Sequence, residues 1–231
     1  MNRPLVSLLA LSLFLSSALA GEIKVACVGD SITFGMGVAK GWTYPGQLQR
    51  MLGPGFVVSN FGVNGATLLR HGDRPYDQQP AFQAALGSKA DIVILMLGAN
   101  DAKLLNWGPH QAEFDPDYRW LIAQLQASNP TQKLFICRPC WVAGAGKYGI
   151  TEPGIEQEIP IIDNIAASLH LPEIDMHAAL EAHPEDFVDT VHPNKGGATL
   201  LAKAAYKAIT SNDFQGEVPP PAPSPAPAAT P

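Results

Sequence analysis

The sequence predicts an α/β protein with a parallel sheet of five strands and helices on both faces. Five apolar runs have the length of strands and are nearly continuous, as in strands that are buried on both faces. They cover residues 23–28, 56–61, 91–97, 133–138 and 171–175. Helical patterns lie between and after these runs, and strand–helix alternation is typical of a parallel sheet. Right-handed crossovers leave few topologies for such a chain.

The helical patterns are residues 42–52, 80–86, 115–128, 155–169 and 194–209. The third pattern presents one apolar face, formed by Tyr118, Leu121, Ile122 and Leu125. Asp115 is a candidate N-cap for this helix, and Asn129 followed by Pro130 marks its end. The fourth pattern contains Pro160, which predicts a kink or a later start because proline has no N–H to donate.

Both ends of the chain differ in composition from the middle. Arg3, an apolar run and Ala18-Leu19-Ala20 are typical of a secretory signal peptide over residues 1–20, with an uncleaved membrane anchor as the alternative. Residues 214–231 are rich in Pro and Ala and predict an extended or disordered tail, either a frayed terminus or a spacer. Residues 21–213 are enough for one domain with a sizeable core. We therefore expect a secreted or periplasmic protein without stable membrane insertion.

Charge and cysteine content narrow the classes of partner. The formal net charge is −6 and no basic stripe is present, so nucleic acid and anionic membranes are not expected as main partners. Cys27 lies in the first apolar run and is expected to be a buried thiol. Cys137 and Cys140 form a C-x-x-C pair, for which an oxidised pair and half of a metal site are both open. No second pair completes a zinc set in the sequence.

Glycines and polar residues follow the first three strands. Residues 29–31 follow the first strand, residues 61–65 the second and residues 98–101 the third, while residues 189–194 precede the last helix. Ligands of such sheets bind beyond the carboxyl ends of the strands. We therefore expect these four segments to meet at one site.

The glycines after the first strand allow a second interpretation, a phosphate-binding loop. Gly35, Gly37 and Gly41 come after Asp30 and Ser31 rather than within the strand–helix turn, and their spacing departs from the dinucleotide-binding pattern. No acidic residue ends the second strand, where it would bind a ribose. These differences favour a serine nucleophile over a nucleotide site.

The same segments contain the groups that ester hydrolysis needs. A serine nucleophile requires a base that takes its proton and an acid that orients the base. Ser31 supplies the hydroxyl, His192 is the candidate base, and Asp189 precedes it by one turn of loop. The backbone N–H groups of Ser31 and Gly62 and the side-chain amide of Asn100 are candidate donors for an oxyanion hole.

The four segments resemble the GDSL or SGNH hydrolases, named for Ser, Gly, Asn and His in four sequence blocks. Here the blocks read Gly29-Asp30-Ser31-Ile32, Gly62-Val63-Asn64-Gly65, Gly98-Ala99-Asn100-Asp101 and Asp189-Thr190-Val191-His192-Pro193. The resemblance implies a flavodoxin-like three-layer α/β/α sandwich and acyl-ester hydrolysis with no metal or other cofactor. It makes Ser31, Asp189 and His192 the catalytic residues and Ser31, Gly62 and Asn100 the oxyanion donors. Ile32 stands where the family name has Leu, a mild departure.

The loops after the second and third blocks suggest a carbohydrate substrate. Arg70, Asp73, Tyr76 and Trp107 are expected to overhang the site, where a sugar ring can stack on an aromatic side chain. An ordinary solvated loop with one packed aromatic residue is the alternative. The remaining histidines are interpreted as surface or loop residues rather than metal ligands: His71, His110, His170, His177 and His183.

We therefore expect a secreted serine esterase that removes short acyl groups, acetyl above all, from a carbohydrate or small-molecule ester. In this the chain resembles exported sialate O-acetylesterase and acetylxylan esterase-like members of the family. A thioesterase or lysophospholipase that cuts long acyl chains is the first alternative, and a non-catalytic carbohydrate-binding protein is the second. Leu68, Leu69, Leu104 and Leu105 are candidates to line a short acyl pocket or a groove for longer chains, but core packing is the role that we expect for them.

Overall fold

The computed structural model describes residues 21–144 and 146–222. Its five strands form one parallel sheet in the order β2-β1-β3-β4-β5, which is the order of the flavodoxin-like fold. The strands are β1 (Ile23–Gly29), β2 (Phe56–Gly62), β3 (Ile92–Met96), β4 (Lys133–Arg138) and β5 (Glu173–Asp175). The predicted fold class is therefore confirmed. The predicted signal peptide, residues 1–20, lies outside the described residues.

The strand order of the sheet reverses between β1 and β3. β1 pairs with β2 on one side and with β3 on the other, and Gly29 lies level with both Gly62 and Met96. All three strands therefore end at the same height. A crevice opens at such a reversal, because the connections that follow the two central strands leave on opposite faces of the sheet.

The helices of the described residues cover both faces of the sheet. They are α1 (Ser31–Phe34), α2 (Tyr44–Leu52), α3 (Pro80–Ser88), α4 (Leu104–His110), α5 (Phe114–Ser128), α6 (Glu152–Leu169), α7 (Ala178–Glu181) and α8 (Lys195–Thr210). Five of these helices correspond to the five predicted patterns: α2, α3, α5, α6 and α8. The three shortest, α1, α4 and α7, were not predicted.

The starts of two helices differ from the expectation. Of the two alternatives predicted at Pro160, the later start is wrong: α6 begins at Glu152 and contains Pro160, because Thr151 caps it by accepting the N–H of Gly154 and Pro153 fits the first turn. α5 begins at Phe114, and Asp115 is not its N-cap. The Asp115 side chain instead pairs with Arg119, one turn further along the helix.

Alternate residues of the central strands face the two helical layers. On one face Ala26, Val28 and Leu95 pack with residues of α3, α5 and α6. On the other face Val25, Cys27 and Met96 pack with residues of α2 and α8. Cys27 is a buried thiol as predicted. Cys137 and Cys140 are also free, buried thiols of this second layer, and the Cys140 sulfur lies 3.8 Å from that of Met96.

Two peripheral segments differ from the sequence-based expectation. β2 is an edge strand and is not buried on both faces, since Val57 is 38% exposed. Part of the predicted disordered tail, residues 214–222, packs against the domain. The Phe214 ring meets that of Tyr206 edge-on, and the carbonyl of Pro219 accepts a hydrogen bond from Arg50. The domain thus extends past residue 213, and residues 223–231 lie outside the described range.

Among the described residues, none of the helices combines the length and the apolar character needed to cross a bilayer.

Candidate active site

The turn after β1 places Ser31 at the carboxyl end of the central strand. Asp30 caps α1, and its Oδ1 accepts the N–H of Ile32 at 2.8 Å. The turn is tight, because a Cβ on Gly29 would lie 2.2 Å from Thr33 Oγ1 and 2.6 Å from the Met96 carbonyl oxygen. Ser31 is the first helical residue, so its N–H has no partner within the helix. Asp30 therefore braces the turn that presents the Ser31 hydroxyl and amide.

His192 and Asp189 lie on one short loop that closes on itself before α8. The N–H of Val188 donates to the His192 carbonyl at 2.9 Å, and Phe187 and Pro193 form an antiparallel bridge. Within the loop, Asp189 Oδ1 accepts the N–H groups of Val191 and His192, each at 2.8 Å. These bonds leave Asp189 Oδ2 directed at the imidazole of His192.

The three predicted catalytic side chains form a continuous hydrogen-bonded line. Ser31 Oγ lies 2.9 Å from His192 Nε2, and His192 Nδ1 lies 3.0 Å from Asp189 Oδ2. Partial burial acts to raise the pKa of Asp189, but the bonds from the His192 ring and from two backbone amides outweigh it. The pKa of Asp189 is therefore held well below its ordinary value. The group beside the imidazole is a carboxylate throughout the neutral range.

Asn100 lies in the turn after β3, and its side chain bridges to the loop after β2. Its Nδ2 donates to the Ala66 carbonyl at 3.1 Å, and the carbonyl of Asn100 accepts from Asn106 Nδ2 at 2.8 Å. Both Asn100 and Asn106 are buried. An amide has two N–H donors, so Asn100 keeps one for another acceptor.

The structure does not leave Gly62 available as an oxyanion donor. Its N–H donates to Asn60 Oδ1 at 2.9 Å, and a Cβ at this position would lie 2.1 Å from the backbone nitrogen of Phe34. Gly62 therefore serves the close packing of β2 on α1. Gly65 differs in both respects: a Cβ there would meet only Arg74 Cδ, at an ordinary contact distance of 3.7 Å, and its N–H meets no acceptor among the described residues. Its φ of +74° favours glycine.

Two polar residues, Asp101 and Asn106, lie behind the site in a bracing role that was not predicted from the sequence. Asp101 accepts the N–H groups of Leu68 and Leu69 at 2.9 and 2.7 Å, which joins the third block to the loop of the second. Asn106 joins the same two segments, since it bonds both Asp73 and the Asn100 carbonyl. The repeated Asn and Asp residues after β3 were the available signal, because buried polar side chains of this kind bind backbone groups.

Two of the four predicted substrate-binding residues belong to the core instead. Tyr76 is buried, and its hydroxyl donates to the Phe61 carbonyl at 2.7 Å. Trp107 is also buried, with its indole N–H on Gln157 and its ring edge-on to Phe114 at 5.2 Å between centroids. Neither ring is free to stack on a sugar. The prediction of their role was wrong because both residues lie in short helical segments, not open loops, and turn their rings toward the core.

The other two predicted substrate-binding residues are engaged on the surface. The Arg70 guanidinium stacks over Trp120 at 4.1 Å and pairs with Asp77 at 3.0 Å. Asp73 binds Asn106 and lies 3.3 Å from the Lys103 ammonium. Each charge therefore has a partner within the protein. These contacts hold the side chains of Arg70 and Asp73 on the surface and direct neither of them at Ser31.

The rim of the site is more apolar than expected from the sequence. Exposed apolar side chains close in the chain to Ser31 and Asp189 are Phe34, Met36 and Val188, and Tyr148 of the loop after β4 is exposed as well. Tyr148 lies edge-on to the His192 ring at 5.6 Å, and its hydroxyl is 3.4 Å from Asp189 Oδ2. Leu68 and Leu69 are buried as predicted, but Leu104 and Leu105 are exposed at the start of α4.

Known proteins share this sequence and architecture. Residues 27–200 match the model of the GDSL-like Lipase/Acylhydrolase family. An acetylxylan esterase of Xylanibacter ruminicola is 37% identical over 209 residues, which are 81% of this chain and 43% of that protein. The chain therefore spans less than half the length of that relative.

Solved structures resemble the fold at low sequence identity. A carbohydrate acetylesterase from Sinorhizobium meliloti superposes with a TM-score of 0.66 at 16% identity, covering 82% of this chain and 99% of that one. The native aryl esterase of M. smegmatis gives 0.64 at 21% identity, with 82% and 99% covered. The match of the family model over most of the domain, together with the four blocks at one sheet edge, shows that the chain belongs to the GDSL-like lipase/acylhydrolase family.

Proposed function

We propose that this protein is a secreted serine esterase that hydrolyses short acyl esters, acetyl above all, carried by carbohydrate. The observation that carries the proposal is the line from Ser31 Oγ through His192 to Asp189, with separations of 2.9 and 3.0 Å. A nucleophile within hydrogen-bonding reach of a base, with that base oriented by a carboxylate, is the arrangement that acyl transfer requires.

In the proposed reaction Ser31 Oγ attacks the ester carbonyl while His192 Nε2 takes its proton. The carboxylate of Asp189 holds the Nδ1 proton of the ring and stabilises the imidazolium that forms. The tetrahedral intermediate then collapses, His192 protonates the leaving alcohol, and an acyl group remains on Ser31. A water activated by the same imidazole attacks the acyl-enzyme and releases the carboxylic acid, which restores Ser31.

The oxyanion of this intermediate needs donors close to Ser31. The backbone N–H of Ser31, the first residue of α1, supplies one of them. The second side-chain N–H of Asn100, which is not bound to Ala66, supplies another. We assign the third to the N–H of Gly65 rather than Gly62. Asn100 Nδ2 binds the carbonyl of Ala66, the residue next to Gly65, so the Asn100 amide and the Gly65 backbone lie side by side. The N–H of Gly62 is already bound to Asn60.

Two observations support a short acyl group on a carbohydrate. Ser31 and His192 are only 6% and 5% exposed, so the space beside the nucleophile suits a small acyl group better than a long chain. The Xylanibacter ruminicola relative is named an acetylxylan esterase, at 37% identity. The predicted signal peptide supports export of the chain, since a polymeric glycan is met outside the cell.

The exposed apolar rim favours a second candidate, the hydrolysis of longer acyl esters. Phe34 and Met36 follow the nucleophile closely in the chain, and Val188 precedes Asp189, so all three are available to contact an acyl chain that leaves the site. Each methylene that such contacts bury contributes about 0.8 kcal/mol. A rise in activity with chain length would therefore reveal this function.

The first experiment measures acetate released from acetylated xylan and kcat/KM for p-nitrophenyl acetate, butyrate, octanoate and palmitate. We expect acetate release and a maximum at acetate or butyrate. Ser31→Ala should abolish both activities, whereas Ser168→Ala, at an exposed position on α6, should leave them unchanged. A steady rise toward palmitate without acetate release would establish the second candidate, and full activity in Ser31→Ala would contradict both.

Export is tested separately by N-terminal sequencing of the protein recovered from outside the cytoplasm. Cleavage after Ala20 should give a mature chain that begins at Gly21. A chain that retains residues 1–20 would contradict the export part of the proposal and would leave the esterase part intact.

A further inference from the structure

Two imidazoles and one carboxylate converge on the surface between the loop after β2 and the connection from α4 to α5. Glu113 Oε2 lies 2.7 Å from His71 Nδ1, and Glu113 Oε1 lies 3.1 Å from His110 Nδ1. The ligand atoms of the three residues all lie within 4.8 Å of one another. Two segments far apart in the chain, one with His71 and one with His110 and Glu113, thus present three potential metal ligands to one point.

The segments that carry these side chains are held in place by other contacts. The N–H of Arg70, next to His71, donates to Asp117 on α5 at 2.9 Å. His110 is the last residue of α4, and Glu113 ends the 3-10 turn that leads directly into α5. The backbone around the cluster is therefore fixed, and only side-chain rotations are needed to adjust the ligand atoms.

We propose that His71, His110 and Glu113 bind one divalent transition-metal ion of the zinc class. Two imidazole nitrogens and a carboxylate oxygen, with water as a fourth ligand, form a set that zinc accepts in tetrahedral geometry. Ligand atoms about 2.0–2.1 Å from zinc are about 3.3 Å from one another. The observed separations of 2.7 and 3.1 Å, each to a different oxygen of Glu113, would lengthen by about 0.6 and 0.2 Å. All the ligand atoms already lie within 4.8 Å of one another, so side-chain rotations of the exposed His71 and its partners can bring them to these distances.

A second group of this kind is a weaker ligand set and serves as a comparison. His183 lies 3.4 Å from Glu185 and 3.9 Å from Asp186, and this group contains a single imidazole. Zinc prefers nitrogen and sulfur ligands, whereas sites made mainly of carboxylates suit harder ions. The cluster at His71 is therefore the expected site of binding.

The bound ion would link the loop after β2 to the helical layer on its face of the sheet. That loop, residues 66–76, also carries the backbone that Asp101 and Asn106 hold behind the site. The ion takes no part in the proposed ester hydrolysis, because Ser31, His192 and Asp189 supply every proton transfer. Its effect is expected on the stability of the domain, since an ion that binds only the folded chain stabilises it.

The test uses tag-free protein that has been treated with a chelator and then titrated with ZnCl2 in a calorimeter. We expect one ion per chain and a rise in Tm of about 5 °C or more when zinc is a hundredfold above its Kd. His71→Ala should abolish both effects, and His71 is mostly exposed, so this variant should fold normally. The matched control, His183→Ala, should bind zinc like the wild type.

Cobalt gives a second readout that does not depend on stability. Co2+ bound to these ligands should produce visible absorption bands that disappear in His71→Ala and in His110→Ala. Absence of saturable binding to the wild-type chain would overturn the proposal, as would equal binding to wild type and His71→Ala. Loss of binding in His183→Ala alone would place the ion at the other cluster and would also overturn it.

Discussion

Asp189 illustrates how a single side chain can set the geometry of its neighbour. Its Oδ1 accepts two backbone N–H groups, which fixes the loop, and its Oδ2 accepts from the His192 ring at 3.0 Å. The same bonds lower the pKa of Asp189 against the opposing effect of partial burial. A carboxylate at this place forces the Nδ1 tautomer of His192, which leaves Nε2 free to accept the serine proton.

Asp189→Asn is therefore expected to preserve the fold and to lower kcat by about a thousandfold or more. The asparagine oxygen can still accept the two backbone N–H groups. Its NH2 group would face His192 Nδ1 and favour the tautomer whose Nε2 carries the proton, so the ring could not act as a base. Steady-state kinetics on p-nitrophenyl acetate measures the loss, with Asp213→Asn as the control on the exposed surface. Near-normal turnover with an unchanged Tm would show that Asp189 does not orient the base.

The sequence points to the side chains of the proposed triad more readily than to the roles of the residues around them. Ser31 and His192 could be placed because the sheet topology brings the strand ends together and because few residue types perform their chemistry. The sequence could not show which glycine, Gly62 or Gly65, has an N–H free to bind the oxyanion. That depends on the hydrogen bond that the N–H of Gly62 donates to the Asn60 side chain. The inward orientation of Trp107 was equally hidden, because the short helix α4 that carries it was not predicted and the side that it turns to the core follows from tertiary packing.

At the scale of elements, the contact between β2 and α1 determines how closely the nucleophile turn approaches the sheet. A Cβ on Gly62 would lie 2.1 Å from the Phe34 nitrogen and 2.6 Å from the Thr33 carbonyl carbon. Both are backbone atoms of the helix that begins at Ser31, so no side-chain rotation relieves the contact. The glycine is thus required by the packing of two elements rather than by its own dihedral angles.

Gly62→Ala is expected to lower the free energy of unfolding by about 2–3 kcal/mol, because the added methyl must displace the backbone of α1. For a domain of this size, Tm should fall by about 5–10 °C. Gly87→Ala on α3 is the matched control, since its Cβ would meet no atom within 4 Å. That variant should be at least as stable as the wild type, because alanine is the better helix former. Equal melting temperatures for the two variants would refute the role assigned to Gly62.

The long elements were predicted because their periodicity extends over many residues. The starts of α5 and α6 were less certain, since a cap depends on local contacts that Thr151 makes and Asp115 does not. α1 and α4 are too short to show a period. α1 is set by the cap that the Asp30 side chain forms on the N–H of Ile32. In α4, Asn106 binds the Asn100 carbonyl and Asp73 of the loop after β2, so both short helices depend on particular side-chain hydrogen bonds rather than on a periodic pattern.

At the scale of the whole molecule, three buried carboxyl groups lie beneath the crevice between β1 and β3. Burial raises the pKa of Asp30 to about 6 and that of Asp101 to about 7. Burial also raises the pKa of Glu158 well above its ordinary value, and the nearby Asp101 and Asp30 raise it further. Neither carboxyl oxygen of Glu158 has a hydrogen-bond partner among the described residues. The folded chain therefore favours the protonated form of Glu158.

This preference links the stability of the whole domain to pH. Between the pKa of Glu158 in the unfolded chain, near 4.5, and its higher value in the folded chain, the native state holds a proton that the unfolded state has released. Stability falls with rising pH wherever the native state binds more protons, by up to about 1.4 kcal/mol per pH unit for one group. The contribution is thus most favourable at pH 4.5 and below, and it declines above that pH.

Glu158→Gln removes this ionisation and should flatten the dependence of stability on pH. The free energy of unfolding is measured in urea at pH 5, 6.5 and 8. The value for the variant should increase relative to that of the wild type as the pH rises, even if the variant is the less stable protein at pH 5. Glu156→Gln, an exposed position on the same helix, is the matched control and should keep the wild-type slope. All other titrating groups are common to the three proteins, so a difference in slope belongs to residue 158. A wild-type slope in Glu158→Gln would mean that Glu158 is ionised in the folded chain, and the buried carboxyl groups would then require a compensating charge.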